Sequence, residues 1–422
     1  MLLGVRRIHR NIISNFSGGK SMKNSHYVPK FILKKFSNKL CLYNVKTGEF
    51  REKLKPEKAY CEKGFYDDDT EINLNLKLET SFAQLLNNKV LKAKDKIELN
   101  RTELRLIKKF LLISIIRSIG SESVMQKEKK FYDDLIFSLK KQGFITSKAD
   151  EEKIRPFIEE DIPNETPYEY WMRTINVILD TDGSPEEIFK HPKKTYPAFR
   201  WASVINAGYL AFWDSEYNQD EFIITDIGMT SENEIGWNGI TGHNTKKLNF
   251  LLELVKNEQN EKLKKEIYKY IYFIESFHEN FQMFPISAKR MIVLISPFYK
   301  FRKLYKDLYS MPRLETLTSL VNENLFSPND VHYVYPQIDS TPKYHPDDKY
   351  IYDINQLNSQ ETQYCNALFL DRIDTTLGFS SVNKVIESLK YYENLNIIPR
   401  IDYAPLIKII MERDSNNLIK KI

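Results

Sequence analysis

Arg290-Met291-Ile292-Val293-Leu294-Ile295-Ser296 decides the fold class of this 422-residue chain. Its five central residues are all apolar, and Pro297 closes the run. It is too short for a helix, so it reads as a buried strand. A buried strand needs neighbours. Ser203 to Phe212 and Glu221 to Asp226 are rich in aromatic and β-branched residues and are separated by the polar run Asp214 to Asp220. That pattern predicts a hairpin that shares a sheet with the 290–296 strand. Nearer the start, Leu40 to Val45 and Glu49 to Arg51 flank Lys46-Thr47-Gly48, a second hairpin whose glycine supplies positive φ. A short strand within Lys58 to Tyr66 is expected to join it.

Elsewhere the apolar period is helical. Leu78, Phe82 and Leu85 mark one helix, Leu104, Ile107, Leu111 and Ile115 the next, and a further helix is expected around Phe131 to Leu139. Six prolines break Ile154 to Pro197 into short pieces, with Glu169 to Leu179 as its one good helix. Helices are also expected over Leu248 to Phe281, Tyr299 to Tyr309, Gln360 to Thr376, Val382 to Glu393 and Pro405 to Met411. A Gly-rich loop spans Gly228 to Gly242, and Asn324 to Asp348 is irregular. The chain is therefore α+β: mainly helical, with a small N-terminal β-hairpin and a central antiparallel β-sheet.

Composition narrows the function classes. Hydrophobic residues at 42% and aromatic residues at 13% provide a core, which excludes a disordered chain. Lys and Arg number 62 against 57 Asp and Glu, a net charge of +5. This neither requires nor forbids a nucleic-acid partner. The lysine clusters at 34–39, 89–96 and 262–269 are interleaved with apolar residues at helical spacing, the pattern of solvated helix faces. Cys41, Cys61 and Cys365 form no CxxC pair and are odd in number, so neither a zinc ribbon nor a disulfide framework is indicated. The longest greasy stretch, Phe110 to Ile119, contains Ser114 and Arg117 and falls short of a membrane span. A cytoplasmic protein without a membrane partner is expected.

Asn24-Ser25-His26-Tyr27-Val28-Pro29-Lys30-Phe31-Ile32-Leu33-Lys34-Lys35-Phe36 carries the one specific motif. It resembles the N-terminal signature of the domain-of-unknown-function 4238 family, and the resemblance implies a largely uncharacterised, mainly bacterial group. That signature usually lies near the initiator. Translation is therefore expected to start at Met22, leaving residues 1–21, with Arg6, Arg7, Arg10, Lys20 and no acid, as a poorly ordered extension. The family domain is expected over 22–376: box and hairpin at 22–66, a helical part at 67–197, a β-rich part with a long helix at 198–298, and a helical part at 299–376. C-terminal helices follow at 377–422.

The resemblance singles out His26, Glu79, Arg117 and Asp226 as candidate catalytic residues. An imidazole at His26 suits a general base, a metal ligand or a phosphate contact, and equally a ring that caps nearby backbone. Glu79 shares a stripe with Phe82, Ala83, Leu86 and Val90, and Arg117 with Leu106, Phe110 and Ile113. Charges on such stripes need partners. A structural Glu79–Arg117 pair across adjacent helices is favoured over a catalytic glutamate with a substrate-clamping arginine. Ser114 stands where the family tends to have a glutamine. Asp226 ends a strand at Thr225-Asp226-Ile227-Gly228, where a Ser-Asp-Asn-Pro turn is usual, and a turn-forming Asp is the plain alternative to a metal ligand. Pro285-Ile286-Ser287 and Asn366 also match the family. His243, His278 and His345-Pro346-Asp347-Asp348 lack metal-site spacing.

Three readings follow. In the first, the four residues converge in a cleft and hydrolyse a phosphodiester of nucleic acid, a chemistry compatible with a divalent metal. In the second, the chain is a non-enzymatic binding or regulatory module for protein or nucleic acid. The third is a defence or toxin effector. No cofactor is identified.

Overall fold

The computed structural model describes residues 24–118, 162–215, 219–228, 230–231, 281–295, 331–334, 349–395 and 401–419, with positions 147, 149 and 259. The expected helices at 131–139 and 299–309, that at 248–281 except for 259 and Phe281, which is strand, the Gly-rich loop at 228–242 except for 228 and 230–231, the irregular stretch at 324–348 except for 331–334, His243, His278, His345 and residues 1–21 lie outside them.

In chain order the elements are β1 (Asn24–His26), α1 (Lys30–Phe36), β2 (Leu40–Asn44), β3 (Phe50–Leu54), β4 (Cys61–Lys63), α2 (Asp68–Leu74), a π segment (Asn75–Glu79), α3 (Thr80–Leu85), a second π segment (Leu86–Val90), β5 (Lys96–Asn100) and α4 (Arg101–Ser118). Then come α5 (Pro167–Asp180), α6 (Pro185–Lys190), α7 (Tyr196–Ala207), β6 (Tyr209–Asp214), β7 (Ile224–Thr225), β8 (Thr230–Ser231), β9 (Phe281–Pro285), β10 (Arg290–Ile295), β11 (Val331–Val334), β12 (Lys349–Gln356), α8 (Ser359–Arg372), β13 (Thr376–Phe379), α9 (Val382–Glu393) and α10 (Ala404–Ile419). The chain combines helices with several sheets, an α+β protein. It divides into two compact units: residues 1–27, 61–88 and 101–206 form the first, and 28–60, 89–100 and 207–422 the second.

The first unit is helical, with β1 and β4 paired as an antiparallel ribbon in which His26 faces Cys61. Leu74, Leu78, Phe82 and Leu86 are all buried, an apolar stripe that repeats every four residues. On a regular α-helix such a stripe drifts by about 40° per repeat, because a turn holds only about 3.6 residues. The π segments, whose bonds close over more residues, bring the stripe back onto the core. Phe82 stacks on Phe110 of α4 with centroids 3.8 Å apart. A capping box of Thr166 and Glu169, with Pro167 in the first turn, starts α5. At its other end Lys109 donates to the carbonyls of Leu179 and Thr181, the orphan acceptors of a helix C-terminus.

The second unit holds two sheets. One runs β11-β12-β6-β10-β9-β8, with β5 also on β12. Every pairing in it is antiparallel except β12 with β6, which is parallel, so the central sheet is mixed. The other runs β3-β2-β13-β7. The N-terminal hairpin is β2 and β3, turned at Gly48 with φ 71°, where Asn44 Oδ1 accepts from the amides of Lys46 and Thr47.

Two expected pairings are overturned. Residues 203–212 and 221–226 do not form a hairpin: Ser203 to Ala207 close α7, because Ala198, Ala202 and Ile205 make an apolar stripe of helical period that outweighs β-branching. β6 then pairs with β10 and β12, whereas β7 pairs with β13 in the other sheet. The 58–66 strand is short, and β4 pairs with β1 instead of the hairpin. Past α8, Thr376–Phe379 is strand, since Ile373 leaves helical φ/ψ and ends the helix.

Candidate functional site

In the first unit α4 carries Arg117 against the end of the first π segment, where Glu79 sits. Arg117 Nη2 donates to Glu79 Oε1 at 2.5 Å, and the two side chains are 3% and 18% exposed. The guanidinium also lies over the Tyr66 ring, 5.6 Å from its centroid, a cation–π arrangement. Its Nε and Nη1 are buried and make no hydrogen bond among the described residues. Burial opposes the charge on Arg117. The fields of Glu79, Tyr66 and Glu71 outweigh it and raise the pKa above the ordinary arginine value.

Glu71, two turns before Glu79, is the second carboxyl of this cluster. Desolvation pushes its pKa up, Arg117 pulls it down, and Glu79 adds a further upward push, so the net shift is upward. Sequence patterning missed Glu71, which sits in a run of acids that reads as a helix N-terminus; Asp67 indeed caps α2 by accepting from Thr70 N at 2.6 Å. The signal that could have found it is its spacing, which returns Glu71 to the side of Glu79 on a widened helix.

His26, half-buried at the end of β1, belongs to this unit. The ribbon that carries it runs into aromatic residues. Tyr27 packs on Phe65 at 5.3 Å, Phe65 stands edge-on to Tyr66 at 4.8 Å and to Trp171 at 5.2 Å, and Trp171 Nε1 donates to Ile116 O at 3.0 Å. The backbone beside Arg117 is thereby tied to the same cluster.

Asp226 belongs to the second unit. Its carboxylate accepts from Asp374 N at 3.2 Å, Thr375 N at 2.8 Å and Thr375 Oγ1 at 2.5 Å, which fastens the end of β7 to the approach of β13. Asn366 does similar work on the other side of β7: it accepts from Ile223 N and donates to Glu221 O and Ser388 Oγ, fully buried. The structure thus brings Glu79 and Arg117 into contact, sets His26 in their unit and builds Asp226 into the other.

A groove of about 480 Å³ beside α5 is lined by Glu165, Arg173, Asn176, Asp180, His191 and Lys193 among others. Its arginine and two of its carboxylates are already engaged: Arg173 forks onto Glu165 and reaches the carbonyls of Lys193 and Lys194, and Asp180 holds Lys77. Among the described residues no group of three or more His, Cys, Asp or Glu is arranged to hold a metal ion, and no helix is long and apolar enough to cross a membrane.

An α+β chain whose two units are each assembled from segments that alternate along the sequence, one of them holding a half-satisfied buried arginine, is the class the geometry defines. The model of the protein family of unknown function DUF4238 matches residues 24–374, and the chain belongs to that family. No curated protein and no solved structure matches it.

Proposed function

We propose that the first unit carries an acid–base centre that hydrolyses a phosphodiester of nucleic acid in the cytoplasm. The observation that carries this reading is the environment of Arg117: two buried nitrogens without acceptors among the described residues, beside one carboxylate it binds and a second carboxyl held toward its protonated form. A carboxyl that keeps its proton beside an ion-paired carboxylate suits the acid and base roles. A purely structural ion pair would resemble Asp214 with Arg290, where every guanidinium nitrogen has an acceptor.

In this reading Arg117 neutralises charge on a non-bridging phosphoryl oxygen. Glu79 takes the proton of the attacking water as its oxygen bonds to phosphorus, and Glu71 gives its proton to the leaving oxygen as the other P–O bond breaks. His26 contacts a second non-bridging oxygen, and Asp226 keeps the β7 end of its own unit in place.

Glu71→Gln tests this reading, because the Glu71 carboxyl makes no hydrogen bond among the described residues and its loss leaves the fold standing. Hydrolysis of an oligonucleotide, whose leaving sugar alkoxide needs a proton, is expected to fall about 100-fold or more. Hydrolysis of bis(4-nitrophenyl) phosphate, whose leaving group needs none, is expected to change little. Wild-type protein inert toward both esters, or a variant as active as wild type on the oligonucleotide, would overturn the reading.

A further inference from the structure

The positive charge of this chain is gathered in one stretch. Residues 28–60 hold nine Lys and Arg against three Glu, a net charge of +6, whereas the whole chain carries +5. All of 28–60 belongs to the second unit. Its three acids are already matched, Glu49 by Arg51, Glu52 by Arg413 and Glu57 by Lys34, and Lys46 is held by Asp374. Lys30, Lys39, Lys53, Lys55 and Lys58 are exposed and meet no carboxylate at ion-pair distance among the described residues.

The fold brings these lysines together from α1, the β2–β3 hairpin and the turn that follows it. Lys30 and Lys34 stand one turn apart on α1 and share its outer side, since Ile32, Leu33 and Phe36 are buried. The short helical turn Pro56–Lys58 lies against α1, and Glu57 meets Lys34 at 3.2 Å and lies in the field of Lys30. Lys55 leads into that turn, and the pairing of Leu40 with Leu54 sets Lys39 beside it at the open end of the hairpin. Lys53 sits in the register shift between β2 and β3 with φ 57°, a left-handed backbone that a lysine adopts at a cost. A bulge re-aims the side chain it carries, and here that side chain is one more exposed ammonium. Spacing along the sequence shows only the α1 part of this surface, as a solvated helix face.

The large apolar side chains exposed among the described residues are Ile72, Leu76, Phe189 and Met411, and none falls in 28–60. Protein interfaces turn on buried aromatic or aliphatic anchors and are poor in lysine. A helix that lies on a membrane needs an apolar side to insert. Lysines without an apolar anchor fit a partner that is itself a row of regularly spaced negative charges.

We propose that this face of the second unit binds the sugar–phosphate backbone of nucleic acid without reading its sequence. Such binding does not rest on the phosphodiester reading above: its lysines lie in the other unit, and holding a backbone needs no hydrolysis.

The test is fluorescence anisotropy with the full chain and labelled DNA duplexes of about 20 base pairs and unrelated sequence, across about 50 to 200 mM salt. Each phosphate neutralised adds about −0.9 to the slope of log affinity against log salt, so a slope steeper than about −3 is expected, equal for all duplexes. Lys30→Gln/Lys39→Gln/Lys55→Gln/Lys58→Gln is expected to flatten the slope by about 3 and to weaken binding at least about tenfold at 100 mM. Lys96→Gln/Lys349→Gln/Lys390→Gln/Lys408→Gln makes the same change in net charge at exposed lysines outside 28–60 and is expected to bind as wild type does. No binding at about 50 mM, a preference for one sequence, the first variant binding like wild type, or equal losses in the two variants would overturn the proposal. Binding to phosphatidylserine vesicles with none to DNA would overturn it in favour of an anionic membrane surface. Failure here is separable from failure of the hydrolase reading. The first variant is expected to hydrolyse bis(4-nitrophenyl) phosphate at the wild-type rate, and a wild-type protein inert toward both esters that still binds the duplexes would end the hydrolase reading and leave the lysine face standing.

Discussion

Asp214 and Arg290 occupy facing positions on β6 and β10 and close a two-pronged ion pair, Nε to Oδ1 at 2.6 Å and Nη2 to Oδ2 at 2.5 Å. The remaining guanidinium donors reach the carbonyls of Val90 and Ala93, so the pair also pins the end of the second π segment to the sheet of its own unit. Both side chains are almost fully buried.

Removing one partner from such a pair leaves an uncompensated charge in the interior. Asp214→Asn is expected to lower the unfolding free energy by about 3–5 kcal/mol. The double variant Asp214→Leu/Arg290→Met, which buries no charge, is expected to be more stable than Asp214→Asn. Chemical denaturation of the three proteins checks this; a single variant as stable as wild type would show that the pair is not closed.

Gly378 on β13 lies against the Tyr60 hydroxyl. A Cβ placed there would come within 2.4 Å of the Tyr60 hydroxyl and 3.2 Å of Ile224. That hydroxyl donates to Ile224 O at 2.9 Å and reaches Thr376 O at 3.3 Å, a link across β7 and β13 that a methyl group would break. Gly378→Ala is expected to cost about 1–3 kcal/mol, the usual range for overpacking. Adding Tyr60→Phe, which removes the oxygen that collides, is expected to restore part of the loss. Thermal melts of Gly378→Ala with and without Tyr60→Phe read the coupling, and strictly additive losses would refute it.

These two contacts also mark where sequence reasoning stopped. The β10 run, the 40–54 hairpin, α5 and the paired charges at Glu79 and Arg117 were legible, because each is a local pattern: an apolar run, a glycine turn, a period, a charge on a greasy stripe. Asp214 reads as the first residue of a polar loop and Arg290 as the edge of a strand; only the register of two strands 76 positions apart makes them a pair. The partner of β7 was hidden for the same reason, since β13 lies 152 residues further along the chain and follows a helix whose end no local signal gives. Glu71 escaped because a fixed α-helical period places it away from Glu79, and the π turn changes that phase.

Lys109 gives a pH signature to α5. Burial holds its ammonium down to about 8 against an ordinary 10.5. Between those values the unfolded chain binds more protons than the folded one, so this group makes stability rise with pH across the window from about 8 to 10.5. Lys109→Met keeps the stem that packs on Gly183 and removes the titrating group. The wild type minus variant difference in unfolding free energy, followed from pH 7.5 upward, is expected to rise across that window; a flat difference would show that the amine is solvated.

Asp226 is expected to behave as a fastening residue for its own unit. Two amides and a hydroxyl converge on its carboxylate, and Asn in its place would set an N–H against N–H donors. Asp226→Asn is expected to cost about 2 kcal/mol, and Thr375→Val, which deletes one of the three bonds, about half as much. Hydrogen exchange at the amides of Asp374 and Thr375 checks the mechanism. Protection there that is unchanged in Asp226→Asn would mean that the carboxylate holds something else.

Glu71 and Glu79 flank one arginine and are expected to respond in opposite directions. Glu79→Gln strands a buried guanidinium and is expected to destabilise by about 3 kcal/mol at neutral pH. Glu71 has its carboxyl pKa raised in the folded state, so the folded chain holds that proton above the ordinary 4.5 while the unfolded chain has lost it. Its contribution is therefore fully present below about 4.5 and declines as pH rises toward the folded value, the penalty of a site that holds a proton the unfolded chain has released. Glu71→Gln removes that penalty and is expected to be more stable than wild type at pH 7, the advantage vanishing near pH 4. Denaturation midpoints of both variants at the two pH values decide the matter. If Glu71→Gln destabilises at pH 7 as Glu79→Gln does, then Glu71 is an ionised partner of Arg117 and cannot be the proton donor.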